Sequence, residues 1–396
     1  MTNTKKRIKE LFFRFKDLTT IGLANILSNG ISVIFWLYVA SLLGAEQYGE
    51  ISYFIAIAGI ASTVSLVGVG STLVIYTAKE IRIQATLFFI AIVSSMITAI
   101  IVYFLYSNIG ISFYIIGIVI FTLSTSEILG RKLYSDYSKY MISQRILMVV
   151  FSLGFYFLIG PTGILIGMGL AFFPYLFRIY KGFKETKIEF SLVKPRLGFM
   201  ANSYFLQLSA SLSGNLDKII IGPLFGFIIL GNYHLALQLL AILGILPSIV
   251  YQYILPREAS GLSNSLLKKL TVLASIVLAI IGMVLGPIIL PMLFPKFIES
   301  IDIVKIVSIA VIPMTIITMY IAKFLAQEKS KIVFAGSAIY LITIVLGIVV
   351  LGKYFGVNGI AAALVISNTA EAIYFVIIHK FVNLKQPDSN KNTEIE

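Results

Sequence analysis

The feature that most limits what this chain can fold into is the recurrence of long apolar segments. Twelve are present, at approximately 18–43, 48–77, 84–106, 109–130, 141–159, 162–180, 198–222, 228–255, 266–294, 303–325, 331–351 and 356–379. A helix needs roughly 20 mostly apolar residues to cross a hydrocarbon core of about 30 Å. No water is present there, so the backbone must satisfy its own hydrogen bonds. The expected fold is therefore all-α, a polytopic membrane protein with 12 transmembrane helices. The composition agrees: 58% hydrophobic residues, 12% charged residues and a mean hydropathy of +0.96 lie outside the soluble range. The first apolar run is longer than a signal-peptide core and is followed by further spans, so it reads as an anchor. The chain has no cysteine and only two histidines, His234 and His379, which excludes disulfides, thiolate metal sites and a histidine cluster. No cofactor or metal is expected.

A net charge of +13 raises the question of nucleic acid. Recognition of that kind needs basic residues gathered on a folded surface, whereas here they lie in short connections between apolar runs. Their distribution sets orientation instead, because Lys and Arg are retained on the cytoplasmic side. Of 31 basic residues, 27 fall on one side; Lys296, Lys305 and Lys353 fall on the other, and Lys218 lies within a span. Both termini are thus expected in the cytoplasm. Residues 1–17 place Ile8, Leu11, Phe12 and Phe15 on one helical face among basic residues, which suits a helix at the membrane interface as well as an ordinary basic flank.

The chain also repeats itself. Leu43-Gly44-Ala-Glu-Gln-Tyr-Gly49 follows the first span and Phe225-Gly226-Phe-Ile-Ile-Leu-Gly231 the seventh, with both glycine pairs 182 residues apart. Gly160-Pro-Thr-Gly163-Ile164 precedes the sixth span as Gly356-Val-Asn-Gly359-Ile360 opens the twelfth. Six is an even number of crossings, so both halves enter from the same side. The expectation is two six-helix bundles related by a parallel pseudo-twofold repeat, at 18–180 and 198–379. A cytoplasmic linker at 181–197 joins them, and a tail occupies 380–396. A binding cavity is expected between the two sets.

Ionisable groups inside spans are costly and mark candidate sites. In the seventh span Gln207, Ser211, Asn215 and Lys218 recur at steps of three or four, with Ser213 and Asp217 alongside. The first span carries Asn25, Ser28, Asn29 and Ser32 at comparable steps. These stripes line a hydrated cavity or hydrogen-bond to neighbouring helices. Asp217 and Lys218 are adjacent and point about 100° apart on a helix, so each is expected to have another partner. Glu371 in the twelfth span, and Asp217, are candidates for ion coupling, with a plain interhelical hydrogen bond as the alternative for Glu371. Arg145, Arg178, Arg257 and Lys323 lie at inner span ends. Each is a topology anchor taken singly; together they would make a ring for an anionic head group. Pro174, Pro247, Pro287, Pro291 and Pro313 are hinges or static kinks. Gly163-x-x-x-Gly167 and Gly282-x-x-x-Gly286 are small-residue packing patterns.

Three segments carry a family likeness: Leu42-Leu43-Gly44-Ala-Glu46-Gln-Tyr48-Gly49, Asn215-Leu-Asp217-Lys218-Ile-Ile-Ile-Gly222 and Gly231-Asn-Tyr233. With them the chain resembles the polysaccharide-export branch of the multidrug/oligosaccharidyl-lipid/polysaccharide (MOP) flippase superfamily, in particular O-antigen or capsule repeat-unit flippases. The resemblance implies two six-helix lobes around a cavity that opens alternately to each side. It implies movement of undecaprenyl-diphosphate-linked oligosaccharides from the inner to the outer leaflet of the cytoplasmic membrane. Its implied partners are the lipid-linked oligosaccharide, the phospholipid bilayer and polysaccharide polymerase or assembly proteins, with no nucleic acid. The family's cavities are cationic, whereas this chain places only Lys218 clearly within a span. Twelve spans also differ from the fourteen of peptidoglycan-precursor flippases. Two alternatives are a cation-coupled multidrug antiporter of the same superfamily and a membrane-embedded polymerase or glycosyltransferase. The enzyme would need a large external loop, and the longest outer loop expected is about ten residues, so a transporter rather than an enzyme is expected.

Overall fold

The computed structural model describes residues 2–259 and 265–384, with side chains described from residue 22 onward apart from 252, 255–257, 259 and 382–384. The side chains of the interfacial segment 1–17, that of Arg257 and the tail beyond 384 therefore lie outside the described residues. Among the described residues all regular structure is helical. In chain order the helices are α1 (Thr2–Leu43), α2 (Ala45–Leu66), α3 (Val69–Ala78), α4 (Gln84–Tyr106), α5 (Ile109–Gly130), α6 (Tyr134–Ile159), α7 (Thr162–Leu170), α8 (Leu176–Glu185), α9 (Leu197–Phe225), α10 (Phe227–Leu243), α11 (Ile245–Ala259), α12 (Ser265–Leu293), α13 (Ser300–Val307), α14 (Val311–Ala326) and α15 (Ser330–Leu384).

Nine helical segments among the described residues are long and apolar enough to cross a membrane, or ten if α10 and the start of α11, bent by 48°, form one span. Twelve crossings are reached when α15 is taken as two, on either side of Gly356, whose backbone is not helical, and when α9, which carries the polar stripe and is not among the nine, is added.

Several spans are broken where a single helix was expected. The second bends at Val67 and Gly68, both with positive φ. The sixth breaks into α7 and α8 around a 3-10 turn at Phe173–Tyr175 that contains Pro174. The tenth breaks at Ser308–Ala310, just ahead of Pro313. Pro247 follows the bend at Gly244, whereas Pro287 and Pro291 sit inside the continuous α12. Backbone groups freed at helix ends find side chains: Asn108 caps α5 by accepting from Gly110 N (3.0 Å) and Ile111 N (3.4 Å). Many buried Ser and Thr hydroxyls donate to the carbonyl three or four residues earlier, as Ser52 does to Gly49 O and Thr72 to Gly68 O.

The glycine echoes have a structural cause. Gly44 (φ 115°, ψ 169°) and Gly226 (φ 91°, ψ 161°) occupy the same region of backbone space, one that side chains exclude. Gly160 and Gly356 likewise both have positive φ. Five residues after the first pair, a Cβ on Gly49 would strike Phe227 O, and a Cβ on Gly231 would strike Ala45 O. The contact is reciprocal: each glycine meets the residue that follows its partner's positive-φ glycine, which is the mark of a local twofold.

The chain forms two compact units, Met1–His234 and Leu235–Glu396. The division falls beyond the expected linker at 181–197, because α9 packs with the helices that precede that linker. Met200 of α9 is buried with Leu73, Phe88, Leu123, Phe172 and Tyr175 in the core of the first unit, and a Cβ on Gly68 would strike Met200 O. The second unit has its own core at Ile317, Phe324, Ala372 and Phe375. The two small-residue patterns are packing surfaces as expected: Gly163 and Gly167 of α7 lie against the backbone of Phe155 and Phe151, and Gly282 and Gly286 of α12 against Ser308 and Val304.

Candidate functional site

The polar stripe of α9 faces α2 and α3. Gln207 Nε2 donates to Ser71 Oγ (3.1 Å), and Ser211 Oγ donates to Gly59 O (3.2 Å). Asn215 lies against Gly59 and donates to Ser211 O at 2.9 Å. The interhelical reading thus applies to Gln207 and Ser211, whose hydrogen bonds go to α3 and α2 and not to the stripe of α1. In α1, Asn25 and Ser32 are half-buried, Asn29 is exposed and Ser28 is buried. Gln207 and Ser211 lie 182 residues after Asn25 and Asn29, the offset of the glycine pairs. The two stripes therefore occupy matching places in the repeat even though they are not bonded to each other.

At the far end of α9, Asp217 and Lys218 do pair. Lys218 Nζ lies 3.0 Å from Asp217 Oδ1 and donates to Gly214 O at 2.8 Å. Tyr233 Oη donates to Asp217 Oδ2 at 2.9 Å. The long lysine stem folds back along the helix, so the two adjacent groups meet although their Cα–Cβ directions diverge. Each group also has the further partner expected of it. Asp217 is 5% exposed and Tyr233 fully buried, so this network is held away from solvent, where a lone charge is most costly. Beside it Trp36, Tyr48 and His234 form an aromatic cluster with centroids 5.2 to 6.2 Å apart.

Of the residues expected to ring a head group, Arg178 is committed elsewhere. Its Nε lies 2.5 Å from Glu127 Oε2, while Arg131 binds the other oxygen of Glu127 and also Glu185. Glu127 was not singled out from sequence, although a carboxylate near the end of an apolar span with arginines four residues on and at the close of the sixth span would have pointed to it. Arg145 is largely buried, with Met148 Sδ accepting from its Nη1 at 3.8 Å and no acceptor for its Nε among the described residues. Lys323 belongs to the second unit, where its Nζ lies 3.2 Å from His379 Nε2. Neither Arg145 nor Lys323 has a carboxylate within 4.0 Å among the described residues. Glu371 is buried on α15 one turn from Ser367, at 7% exposure, and likewise lacks an ion-pair partner among the described residues. No cluster of potential metal ligands occurs among the described residues.

An all-helical chain with two broken, repeat-related sets of apolar spans and charge pairs inside them has the architecture of a multi-pass membrane protein. No known family model matches the sequence, and no curated protein sequence does so. Solved structures match in fold. The inward-closed lipid II flippase MurJ superposes with a TM-score of 0.77 at 14% identity, over 91% of this chain and 87% of that one. An inward-facing multidrug resistance MATE family transporter of the MOP superfamily gives 0.71 at 14% identity, over 92% and 95%. A MOP superfamily transporter from Pyrococcus furiosus, described as having a binding pocket of reversed polarity, gives 0.57 at 14% identity, over 94% and 97%. The chain is thus a multi-pass membrane protein with the fold of the MOP superfamily.

Proposed function

We propose that the chain is a flippase that moves an anionic lipid-linked oligosaccharide, an undecaprenyl-diphosphate-linked O-antigen, capsule or related repeat unit, from the inner to the outer leaflet by alternating access. The observation that carries this reading is the state of the intramembrane charges. Asp217 is neutralised by Lys218 and bonded by Tyr233, and Glu127 is neutralised by two arginines. Arg145 and Lys323 have no carboxylate partner among the described residues. The charge left without an opposite partner inside the spans is thus mostly positive, which suits a phosphate-bearing cargo better than a cationic one. The fold likeness to a lipid II flippase supports the same class of cargo. Cytoplasmic termini, insertion in the cytoplasmic membrane and association with polymerase or assembly proteins are part of this reading, and catalysis is not.

The energetics need no nucleotide. At about 100 mV, inside negative, carrying two negative charges outward is favoured by roughly 4 to 5 kcal/mol. Glu371, buried without an ion-pair partner among the described residues, favours cation-coupled drug antiport as the second reading. The test is leaflet-resolved accumulation of the lipid-linked glycan on depletion of the protein. Accumulation in the inner leaflet is expected. Unaltered glycan export in cells with no related flippase, together with lost drug resistance, would support antiport instead.

A further inference from the structure

The two units contain cavities built from corresponding elements. In the first unit a cavity of about 540 Å³ lies between the end of α3, the start of α4, the end of α5 and the end of α8, lined among others by Glu80, Arg82, Gln84, Arg131, Lys132 and Glu185. In the second, a cavity of about 600 Å³ lies between the start of α12, the end of α14 and the end of α15, lined among others by Lys268, Lys269, Val272, Met319, Lys323 and His379. Both lie among the third, fourth and sixth spans of a half, and the first also meets the end of the second span.

Their charges are handled differently. In the first cavity Arg131 is bound by Glu127 and Glu185, and Glu80 and Glu185 stand on the lining beside Arg82 and Lys132, so two carboxylates face three basic groups. In the second, Glu258 lies 2.5 Å from Lys268 and answers one lysine of three. Lys269 and Lys323 have no carboxylate within 4.0 Å among the described residues. Lys323 is instead steadied by His379 Nε2 at 3.2 Å, and the imidazole packs 5.3 Å from the Tyr320 ring. Val272, Met319 and Val376 supply an apolar wall below the ammonium groups. Uncompensated ammonium groups over an apolar wall at the ends of spans match an amphiphile with a phosphate head and a hydrocarbon body. Topology anchoring alone would not require the lysines to converge on one cavity.

We propose that this cavity binds the phosphate of a lipid head group, with Lys323 and Lys269 as the free cationic donors, Lys268 shared with Glu258, and the apolar wall taking the first carbons of the chain. The phosphate has two sources, an anionic phospholipid of the leaflet or a polyprenyl diphosphate. The site needs a membrane and does not need a glycan cargo.

The test is native mass spectrometry of the full-length protein titrated with phosphatidylglycerol, undecaprenyl diphosphate and phosphatidylcholine. Wild type is expected to hold at least one of the two anionic lipids about tenfold more tightly than phosphatidylcholine. K269Q/K323Q is expected to lose that preference, with K323R and the distant K353Q keeping it. K269Q alone, altering an exposed side chain, guards against misfolding and is expected to lose part of the preference. A stronger hold on undecaprenyl diphosphate than on phosphatidylglycerol assigns the site to the carrier; equal or weaker hold assigns it to the leaflet. The proposal is overturned by wild type showing no preference, or by K269Q/K323Q keeping it. A K269Q/K323Q protein that lost glycan export while retaining the lipid preference would overturn the site and leave the proposed function standing.

Discussion

Glu127 shows how one buried side chain can decide local stability. Its carboxylate is 1% exposed and holds Arg131 and Arg178, with Arg178 at 14% exposure. Removing one member of a buried charge network leaves the others uncompensated, at a cost of about 3 to 5 kcal/mol. Glu127→Gln is therefore expected to lower the thermal unfolding midpoint of the purified protein clearly, while E127L/R178M, which removes the pair at Glu127 Oε2, is expected to cost less. Equal losses for the two variants would mean that the network contributes packing and no electrostatics. Asp217 differs, because one of its partners is a phenol: Tyr233 supplies a hydrogen bond that survives in Asp217→Asn, whereas the ion pair with Lys218 does not.

At the scale of helices, the reciprocal glycine contact between α2 and α10 leaves no room for a methyl group. Overpacking of this kind costs typically about 1 to 3 kcal/mol. Gly49→Ala and Gly231→Ala are each expected to destabilise by about that amount, and less than additively together, since either alone already separates the same two backbones. Gly154, with open space around its Cβ position, is the control: Gly154→Ala should be neutral or stabilising by up to about 1 kcal/mol. Thermal unfolding of the four proteins checks this, and equal effects at positions 49 and 154 would refute it. The glycines also show which parts of the fold can be read from sequence. Their spacing marks the repeat because positive φ and backbone contact admit no other residue, so Gly44, Gly226, Gly160 and Gly356 announce structure directly. The polar stripe of α9 was legible as a stripe, but its direction was not, because periodicity places residues on a face without naming the neighbouring helix. The Lys218 fold-back and the capture of Arg178 by Glu127 escaped for a related reason. Both depend on side-chain reach and on contacts 51 residues apart in the second case, which no local pattern encodes.

For the whole molecule, orientation and driving force are separate questions: an inside-negative potential favours outward movement of the proposed anionic cargo whichever way the chain is inserted, whereas the basic loops decide the insertion. The chain lacks cysteine, so single replacements can report sidedness without a modified background. K296C and K353C are expected to react with a membrane-impermeant maleimide added outside intact cells, and K187C and Q327C only after permeabilisation; the opposite pattern would invert the topology. The electrical work distinguishes the two sources of energy. If two negative charges cross alone, collapsing the potential removes roughly 4 to 5 kcal/mol of bias, so glycan export should fall steeply with the potential and be insensitive to the pH gradient. If Glu371 carries a proton inward during the cycle, export should instead follow the pH gradient, and Glu371→Gln should abolish that dependence while leaving the lipid-linked substrate bound. Because the side chain is buried and unpaired among the described residues, a neutral amide fits its place with little rearrangement, so a change in pH dependence in this variant reports the proton and not a collapse of α15. An unchanged pH profile in Glu371→Gln, with export still scaling with the potential, leaves the charge of the cargo as the driving element.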